Sequence, residues 1–265
     1  MSSVTQIGKV VIAGAGPGDA ELITLKLQKR LAEADIIFTD RLVNPEIISL
    51  HARRNIPVVM TGKEGFNKAS YSQQDISSLI VQHALEGKNV LRLKGGDVAF
   101  FSNVLDELEA LVNHKIEFEI IPGITAASGV SAYTGIPLTA RNYSQGVQFI
   151  TFNPSSEISP AKWKVLAETH DTLVFYMASK NLANLAGLLL HYTAPPDKPI
   201  AIIEQATTVF QKLHVSTLKN CKADFEGKTF SSPSLVIVGD VVALHNSFQW
   251  FDTKNEKGTI FKELK

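Results

Sequence analysis

The sequence predicts an α/β protein made of two α/β domains, and three observations lead to this prediction. Short apolar, β-branched runs alternate with segments of helical periodicity along most of the chain. This alternation is typical of a mostly parallel sheet covered by helices. A turn-rich stretch, GIPLTARNYSQG at 135–146, interrupts the alternation, which then resumes. We therefore place an N-terminal domain over 1–139, a C-terminal domain over 140–251 and a polar tail over 252–265.

The first half of the chain predicts five strands and at least three helices. One helix carries Ile23, Leu27, Leu31 and Ala34 on a single face. A second helix is predicted over 72–87, with Ser72 as its N-cap. A third is predicted over 102–112. The predicted strands are 9–13, 35–39, 56–60, 89–93 and 117–121.

The second half repeats this pattern with four predicted strands. They cover 147–151, 172–176, 199–203 and 234–238. Helices are predicted near 161–168, 181–191 and 240–246. Each half is long enough to form its own core.

Composition excludes several classes of partner. Lys plus Arg number 26 and Asp plus Glu number 26, so no global basic field would recruit nucleic acid or a membrane surface. No apolar stretch has the length of a signal peptide core or a membrane span. The single cysteine, Cys221, excludes an internal disulfide, and the seven histidines show no metal-ligand spacing. These features predict a cytoplasmic protein without a metal ion.

The turn GAGPGD after the first strand resembles a dinucleotide-binding loop but departs from it. Gly14 and Gly16 fit the G-x-G-x-x-G pattern, whereas Asp19 takes the third glycine position. Pro17 removes one backbone N–H that would bind pyrophosphate, and a carboxylate at 19 would repel it. Asp40, at the end of the second strand, still fits a ribose-binding acid. An NAD-dependent oxidoreductase therefore remains an alternative, as does a tight turn without a ligand.

The other strand ends also carry glycine, charge or small hydroxyl residues. In open α/β sheets, ligands bind outside the carboxyl ends of the strands. The concentration of such residues there predicts a cleft in which backbone approaches a ligand closely. A zwitterionic amino-acid ligand with an adenosine suits this mixture better than a pyrophosphate. The relevant segments are DR at 40–41, TGK at 61–63, RLKGGD at 92–97 and PGITAASG at 122–129.

Eight segments, in order from about residue 9 to 251, carry a resemblance to a known family. With them, the chain resembles the tetrapyrrole methylase family, and specifically its members that act on uroporphyrinogen III. The segments are VVIAGAGPGDAELITLK, TDRLV, TGKEG, RLKGGD, EIIPGITAASGVSAYTGIPLTAR, FYMAS, EQATT and SPSLVIVGDVV.

The resemblance implies a fold, an activity and a partner. The fold would be two α/β domains with S-adenosyl-L-methionine bound in a cleft between them. The enzyme would transfer two methyl groups in succession to carbons 2 and 7 of uroporphyrinogen III. Its products would be precorrin-2, for sirohaem or cobalamin, and S-adenosyl-L-homocysteine. The family is homodimeric, so a homodimer is expected.

The resemblance also implies roles for single residues. Asp40 matches the family's proposed proton acceptor and Lys63 its proton donor, although Asp40 also fits a helix cap and Lys63 a solvated lysine. Because the substrate is a polyanion, basic residues in the cleft are expected to bind it. Substrate contacts are expected from Arg41, Asn103, Asp106 and Arg141. Cofactor contacts are expected from Pro17, Gly95, Gly96, Asp97, Phe100, Thr125, Ala126, Met177 and Ala206.

One loop departs from the family's pattern. The family usually reads GGDPFIFGRGGEE, whereas this chain reads GGDVAFFSNVLDE at 95–107. Asn103 and Asp106 replace an arginine and a glutamate that help to hold substrate in relatives. The loop is compatible with a subgroup that binds the same porphyrinogen differently, with a relative that acts on another tetrapyrrole, or with a non-catalytic cofactor-binding protein. We favour the first, because RLKGGD and YTGIPLT are kept. The chain is also expected to lack the dehydrogenase and chelatase parts of a fused sirohaem synthase.

Overall fold

The computed structural model describes residues 6–61, 73–153, 157–253 and 258–261. The chain forms two compact units, residues 1–125 with 259–265, and residues 126–258. The division lies between Thr125 and Ala126, earlier than the sequence-based boundary at 139/140. Residues 259–261, part of the polar tail predicted over 252–265, belong to the first unit, and Phe261 is buried.

The first unit contains a five-stranded sheet in the order β3-β2-β4-β1-β5, with every pair parallel. The strands are β1 (Val10–Gly14), β2 (Ile36–Asp40), β3 (Val58–Thr61), β4 (Val90–Lys94) and β5 (Phe118–Ile121). The helices are α1 (Leu25–Glu33), α2 (Pro45–His51), α3 (Gln73–Leu85) and α4 (Leu105–Asn113).

The inner strands β1, β2 and β4 are buried on both faces of the sheet, which explains why they lack a regular apolar–polar alternation. Val11 and Leu91 face a cluster that includes residues of α1 and α2. Ile12 and Phe38 face the opposite cluster, which includes residues of α3 and α4. Side chains alternate across a strand, so β4 directs Arg92 and Lys94 to the same side as Val90.

The second unit contains a mixed five-stranded sheet in the order β6-β7-β10-β8-β9. Its strands are β6 (Val147–Thr151), β7 (Thr172–Tyr176), β8 (Pro199–Glu204), β9 (Lys212–Thr217) and β10 (Ser234–Val238). Only β6 and β7 pair in parallel among these described strands, and the other pairs are antiparallel. The helices are α5 (Ala126–Thr134), α6 (Pro160–Glu168), α7 (Leu182–His191), α8 (Cys221–Asp224) and α9 (His245–Phe248).

Helix α5 explains the position of the division between the units. Its Ala127 and Val130 are buried with Val174 and Ala201 in one apolar cluster of the second sheet. The sequence-based boundary places these residues in the first domain, over 1–139. Strand β9 and helix α8 were not predicted. The helix predicted near 240–246 is a 3₁₀ segment over Asp240–Leu244, continued by α9.

In the part of the chain that the structure describes, no helix combines the length and apolarity needed to cross a membrane.

Candidate active site

The carboxyl ends of the parallel strands in the first unit bring the predicted site segments to one edge of the sheet. The turn after β1, Asp40 at the end of β2 and the loop after β4 all follow this edge. Such an edge is the usual ligand-binding position of an open α/β sheet. Lys63 and the segment around it lie outside the described residues.

The glycines of this edge hold the loops against one another. Gly16 and Gly96 exchange backbone hydrogen bonds, of 3.1 Å from Gly16 N and 2.8 Å from Gly96 N. A Cβ on Gly14 would lie 2.6 Å from Gly96 O and 2.8 Å from Gly123 Cα. Real Cβ atoms do not approach that closely, so backbone packing accounts for the glycines at 14 and 123. For Gly14, this packing agrees with the alternative of a tight turn, and the ligand contacts expected of Gly95 and Gly96 stay predictions.

Asp19, which breaks the dinucleotide pattern, has a structural role. Its Oδ1 accepts a hydrogen bond of 2.9 Å from Glu21 N and caps a 3₁₀ turn over Ala20–Leu22. A carboxylate satisfies free N–H groups at such a terminus. The turn that follows GAGPG is therefore built by a side chain in the place where a dinucleotide loop has glycine.

Asp97 connects two loops of the edge. Its Oδ1 accepts from Ala99 N at 2.7 Å, and its Oδ2 accepts from Gly123 N at 2.7 Å. The side chain is buried. Its predicted contact with a cofactor stays a prediction, and the structure adds this structural role.

Asp40 is held at the end of β2 by two polar neighbours. Its Oδ1 accepts from Arg92 Nη2 at 2.6 Å and lies 2.9 Å from Thr61 Oγ1. The side chain is 32% exposed, so it remains accessible to a substrate. The alternative role as cap of the next helix goes instead to Asn44, whose Oδ1 accepts from Glu46 N at the start of α2.

A buried set of charges beneath Asp40 was not predicted from the sequence. Glu107 Oε1 accepts from Arg92 Nε at 2.8 Å, and its Oε2 accepts from Lys94 Nζ at 2.7 Å. Burial alone would lower the pKa of Arg92, but the carboxylates of Asp40 and Glu107 outweigh it and raise that pKa. Burial and the nearby guanidinium lower the pKa of Lys94. The available signal was RLK within a buried strand, since buried cations require nearby anions.

The loop that departs from the family pattern combines buried and exposed positions. Val98 is buried, whereas Phe100, Asn103 and Asp106 are exposed. Phe101 and Asn103 have φ of 53° and 52°, a left-handed conformation that is uncommon outside glycine. The exposed predicted substrate residues can therefore be reached by a ligand. Arg41 is partly exposed, and its burial lowers its pKa against the attraction of Asp40.

The second unit gathers three of its predicted site residues near strand ends and the start of α5. Tyr176 Oη accepts a hydrogen bond of 3.2 Å from Ala127 N, next to Ala126. Met177 follows β7, is 51% exposed and has a φ of 60°. Ala206 follows β8 and lies between Gln205 and Thr207, which also have positive φ.

Unusual φ values at these strand ends indicate stored backbone strain of the kind that clusters at functional sites. No local sequence pattern predicts these φ values, because methionine, glutamine and threonine ordinarily avoid this conformation. Arg141 lies on an exposed turn of the same unit.

The first unit is an open, parallel α/β sheet, and its glycine loops and a partly exposed carboxylate lie at the carboxyl ends of the strands. This is the usual arrangement of a ligand-binding α/β protein. The family of Tetrapyrrole (Corrin/Porphyrin) Methylases matches residues 9–222. The chain belongs to this family. The predicted fold class of two α/β sheets with helices is confirmed, and the dinucleotide-dependent oxidoreductase is set aside.

The curated relatives of this chain include siroheme synthases. The siroheme synthase of Vesicomyosocius okutanii is 41% identical over 249 residues, which are 94% of this chain and 53% of that protein. The chain thus spans about half the length of the curated relatives it matches.

Solved structures match over nearly their whole length. The native uroporphyrin III C-methyl transferase of Thermus thermophilus is 31% identical with a TM-score of 0.75, covering 89% of this chain and 100% of that one. The same Thermus enzyme complexed with S-adenyl homocysteine is 30% identical with a TM-score of 0.73, covering 89% and 93%.

No group of three or more histidine, cysteine or acidic residues suited to a metal ion occurs among the described residues.

Proposed function

We propose that this chain catalyses the S-adenosyl-L-methionine-dependent C-methylation of uroporphyrinogen III at carbons 2 and 7, giving precorrin-2. The observation that carries the proposal is the 31% identity to the Thermus enzyme over the whole of that enzyme's chain. The siroheme synthase relatives support a product that enters sirohaem formation.

The residues present fit the cofactor chemically. An adenosine and a sulfonium centre need apolar surface together with backbone polar groups. Phe100 of the first unit and Met177 of the second are both more than a third exposed. Gly95 and Gly96 precede Phe100 in the loop after β4 and offer backbone without a side chain, and Gly96 has a φ of 69°. We assign cofactor contacts to these residues and to Pro17, Asp97, Thr125, Ala126 and Ala206.

The cofactor, when bound, supplies an activated methyl group to the substrate carbon and leaves as S-adenosyl-L-homocysteine. The chain must then orient the pyrrole ring, exclude water and accept a proton. Asp40 is the proposed proton acceptor because its carboxylate is fixed and partly exposed. Lys63 is the proposed proton donor. Arg41, Asn103, Asp106 and Arg141 are proposed to bind the polar groups of the substrate.

We assign the active form to a cytoplasmic homodimer. Homodimeric assembly follows from the family resemblance, and the cytoplasm follows from the biosynthetic role of the relatives.

The test is anaerobic incubation of the purified protein with uroporphyrinogen III and S-adenosyl-L-methionine, followed by mass spectrometry of the product. A gain of two methyl groups supports the proposal. No gain, in a protein that binds S-adenosyl-L-homocysteine, would move the question to a different acceptor.

Asp40→Asn tests the assignment of the proton acceptor. We expect a fall in kcat of roughly 10²–10⁴-fold, because the amide cannot accept the proton. Affinity for S-adenosyl-L-homocysteine, measured by calorimetry, should stay near that of the wild type. Glu46→Gln on the exposed face of α2 is the control and should keep wild-type turnover. Turnover of Asp40→Asn at the wild-type rate would remove the role.

A further inference from the structure

Within the described part of the chain, the carboxylate of Asp40 is bound through Oδ1. Arg92 Nη2 and Thr61 Oγ1 both approach Oδ1, at 2.6 and 2.9 Å. Among the described residues, Oδ2 accepts no hydrogen bond. One oxygen therefore fixes the carboxylate, and the other remains available to a proton.

Arg92 is itself fixed by three separate contacts. Its Nε donates to Glu107 at 2.8 Å, its Nη1 to Leu93 O at 3.0 Å and its Nη2 to Asp40. The Arg92 and Glu107 side chains are only 3% and 1% exposed. A guanidinium held in this way cannot follow Asp40 if that side chain rotates, so it defines a single position for Oδ1.

The balance of charge supports the same conclusion. Glu107 is one anion shared between two cations, Arg92 and Lys94. Asp40 supplies the second negative charge that balances this buried set. Removing Asp40 from its place would leave a buried cation without full compensation, which proteins avoid.

Thr61 completes the arrangement from the neighbouring strand. Asp40 and Thr61 are paired across β2 and β3. The Thr61 hydroxyl proton has two acceptors within reach, Asp40 Oδ1 and Thr39 O at 3.1 Å. The side chain is buried, so water does not compete for this hydrogen bond.

From this geometry we infer that Arg92 and Thr61 are positioning residues that hold Asp40 by Oδ1 and present Oδ2 as the proton-accepting atom. The inference rests on the proposed function. In that reaction a carbon–carbon bond forms to the methyl group while the carbon–sulfur bond breaks with its electron pair kept on sulfur. The methylated pyrrole is left positively charged and returns to neutrality when it loses one proton to Oδ2. No oxidant or reductant is required.

Thr61→Val and Thr61→Ser test the inference with little change in volume. Thr61→Val should lower kcat roughly tenfold or more, because a displaced base loses its alignment. KM and affinity for S-adenosyl-L-homocysteine should change by less than about twofold, which identifies a loss confined to the transition state. Thr61→Ser should restore kcat. Arg92→Lys, which cannot bind Glu107, Leu93 O and Asp40 together, should lower kcat further.

Thr134→Val is the matched control. It removes the hydrogen bond that a buried threonine hydroxyl donates to Val130 O, and Thr134 has no part in the charge set around Asp40. It should lower the thermal midpoint while kcat stays within about threefold of the wild type. A fall in kcat of Thr134→Val as large as that of Thr61→Val would show that activity follows stability, and it would overturn the positioning role.

The outcomes separate this inference from the proposed function. If Asp40→Asn abolishes turnover and Thr61→Val and Arg92→Lys keep the wild-type kcat, the inference is overturned and the function stands. If the wild type does not methylate uroporphyrinogen III, the proposed function fails, and crystal structures of the wild type and Thr61→Val still test the positioning of Asp40. A carboxylate that rotates in Thr61→Val supports positioning, and one that stays in place overturns it.

Discussion

Strand β4 of the first unit and strand β10 of the second are both buried central strands, yet β4 reads VLRLK and β10 reads SLVIV. Arg92 and Lys94 of β4 meet the carboxylate of Glu107 on α4. Val236 of β10 faces an apolar cluster with Phe175 and Ile202. A central strand can thus carry cations into a core where a covering helix supplies an anion.

The largest loss of stability should come from placing a buried cation in the second unit. Val236→Lys buries an ammonium among apolar side chains, and it should lower the free energy of unfolding by about 5 kcal/mol or more. Val236→Met is the control of similar length and should cost about 1–3 kcal/mol. Urea unfolding of both variants provides the measurement. Equal losses would show that volume, and not charge, distinguishes the two strands.

The next largest loss of stability should come from removing Glu107, the buried anion of the first unit. Glu107→Ala leaves Lys94 without its partner and Arg92 with Asp40 alone, and it should cost about 3–5 kcal/mol. Glu109→Ala, at an exposed position of the same helix, should change stability by less than about 0.5 kcal/mol. The same denaturation experiment compares them. A small loss of stability in Glu107→Ala would mean that water enters, or that neighbouring groups move, to solvate Arg92 and Lys94.

A smaller effect should come from the second unit, which has backbone strain at its strand ends. Met177 has a φ of 60°, so both Met177→Ala and the wild type carry the cost of a left-handed residue. Met177→Gly should be more stable than Met177→Ala by about 1 kcal/mol. Thermal unfolding measures the difference. S-adenosyl-L-homocysteine should bind both variants more weakly than the wild type, if Met177 contacts the cofactor. Equal stability of the two variants would contradict stored strain.

The smallest effect concerns Glu204, a buried carboxylate at the end of β8. Burial raises its pKa, but hydrogen bonds from His214 and Ser231 N outweigh it and leave the pKa lowered. A lowered folded-state pKa stabilises the fold above the ordinary glutamate pKa, and this stability is lost as pH falls through the folded value. The difference in thermal midpoint between wild type and Glu204→Gln should therefore shrink below about pH 4.

Exposed Glu226→Gln provides the control for Glu204 and should show no such pH-dependent difference. If the difference in thermal midpoint between wild type and Glu204→Gln stays constant from pH 7 to pH 3, the substitution acts through packing and not through the charge of Glu204.

The sequence predicted the strands with a regular apolar pattern, and it failed where tertiary contacts decide. The bounds of β6, β7 and β10 agree with the prediction. Strand β9 was missed because KLHVST mixes polar residues into an edge strand, whose exposed side does not require apolar side chains. The assignment of α5 also depends on which sheet buries Ala127, and no local pattern contains that information.

The site shows the same limit. Asp40 and the glycine loops could be selected from their positions after predicted strands. The partnership of Arg92 with Glu107 joins residues on a strand and a helix, and only the fold brings them within 2.8 Å. The left-handed conformations of Met177 and Thr207 depend on the surrounding contacts and not on their residue types.

The double hydrogen bond of Asp97 has a consequence for protein engineering. Asp97 fixes the base of the loop after β4 through Ala99 N and Gly123 N, two backbone groups that do not depend on side-chain identity. The exposed residues Ala99, Phe100, Phe101 and Asn103 are therefore the positions to exchange, whereas Val98 packs in the core and is kept. If this loop binds substrate as proposed, substitutions at these positions should change substrate preference while the fold of the first unit is kept.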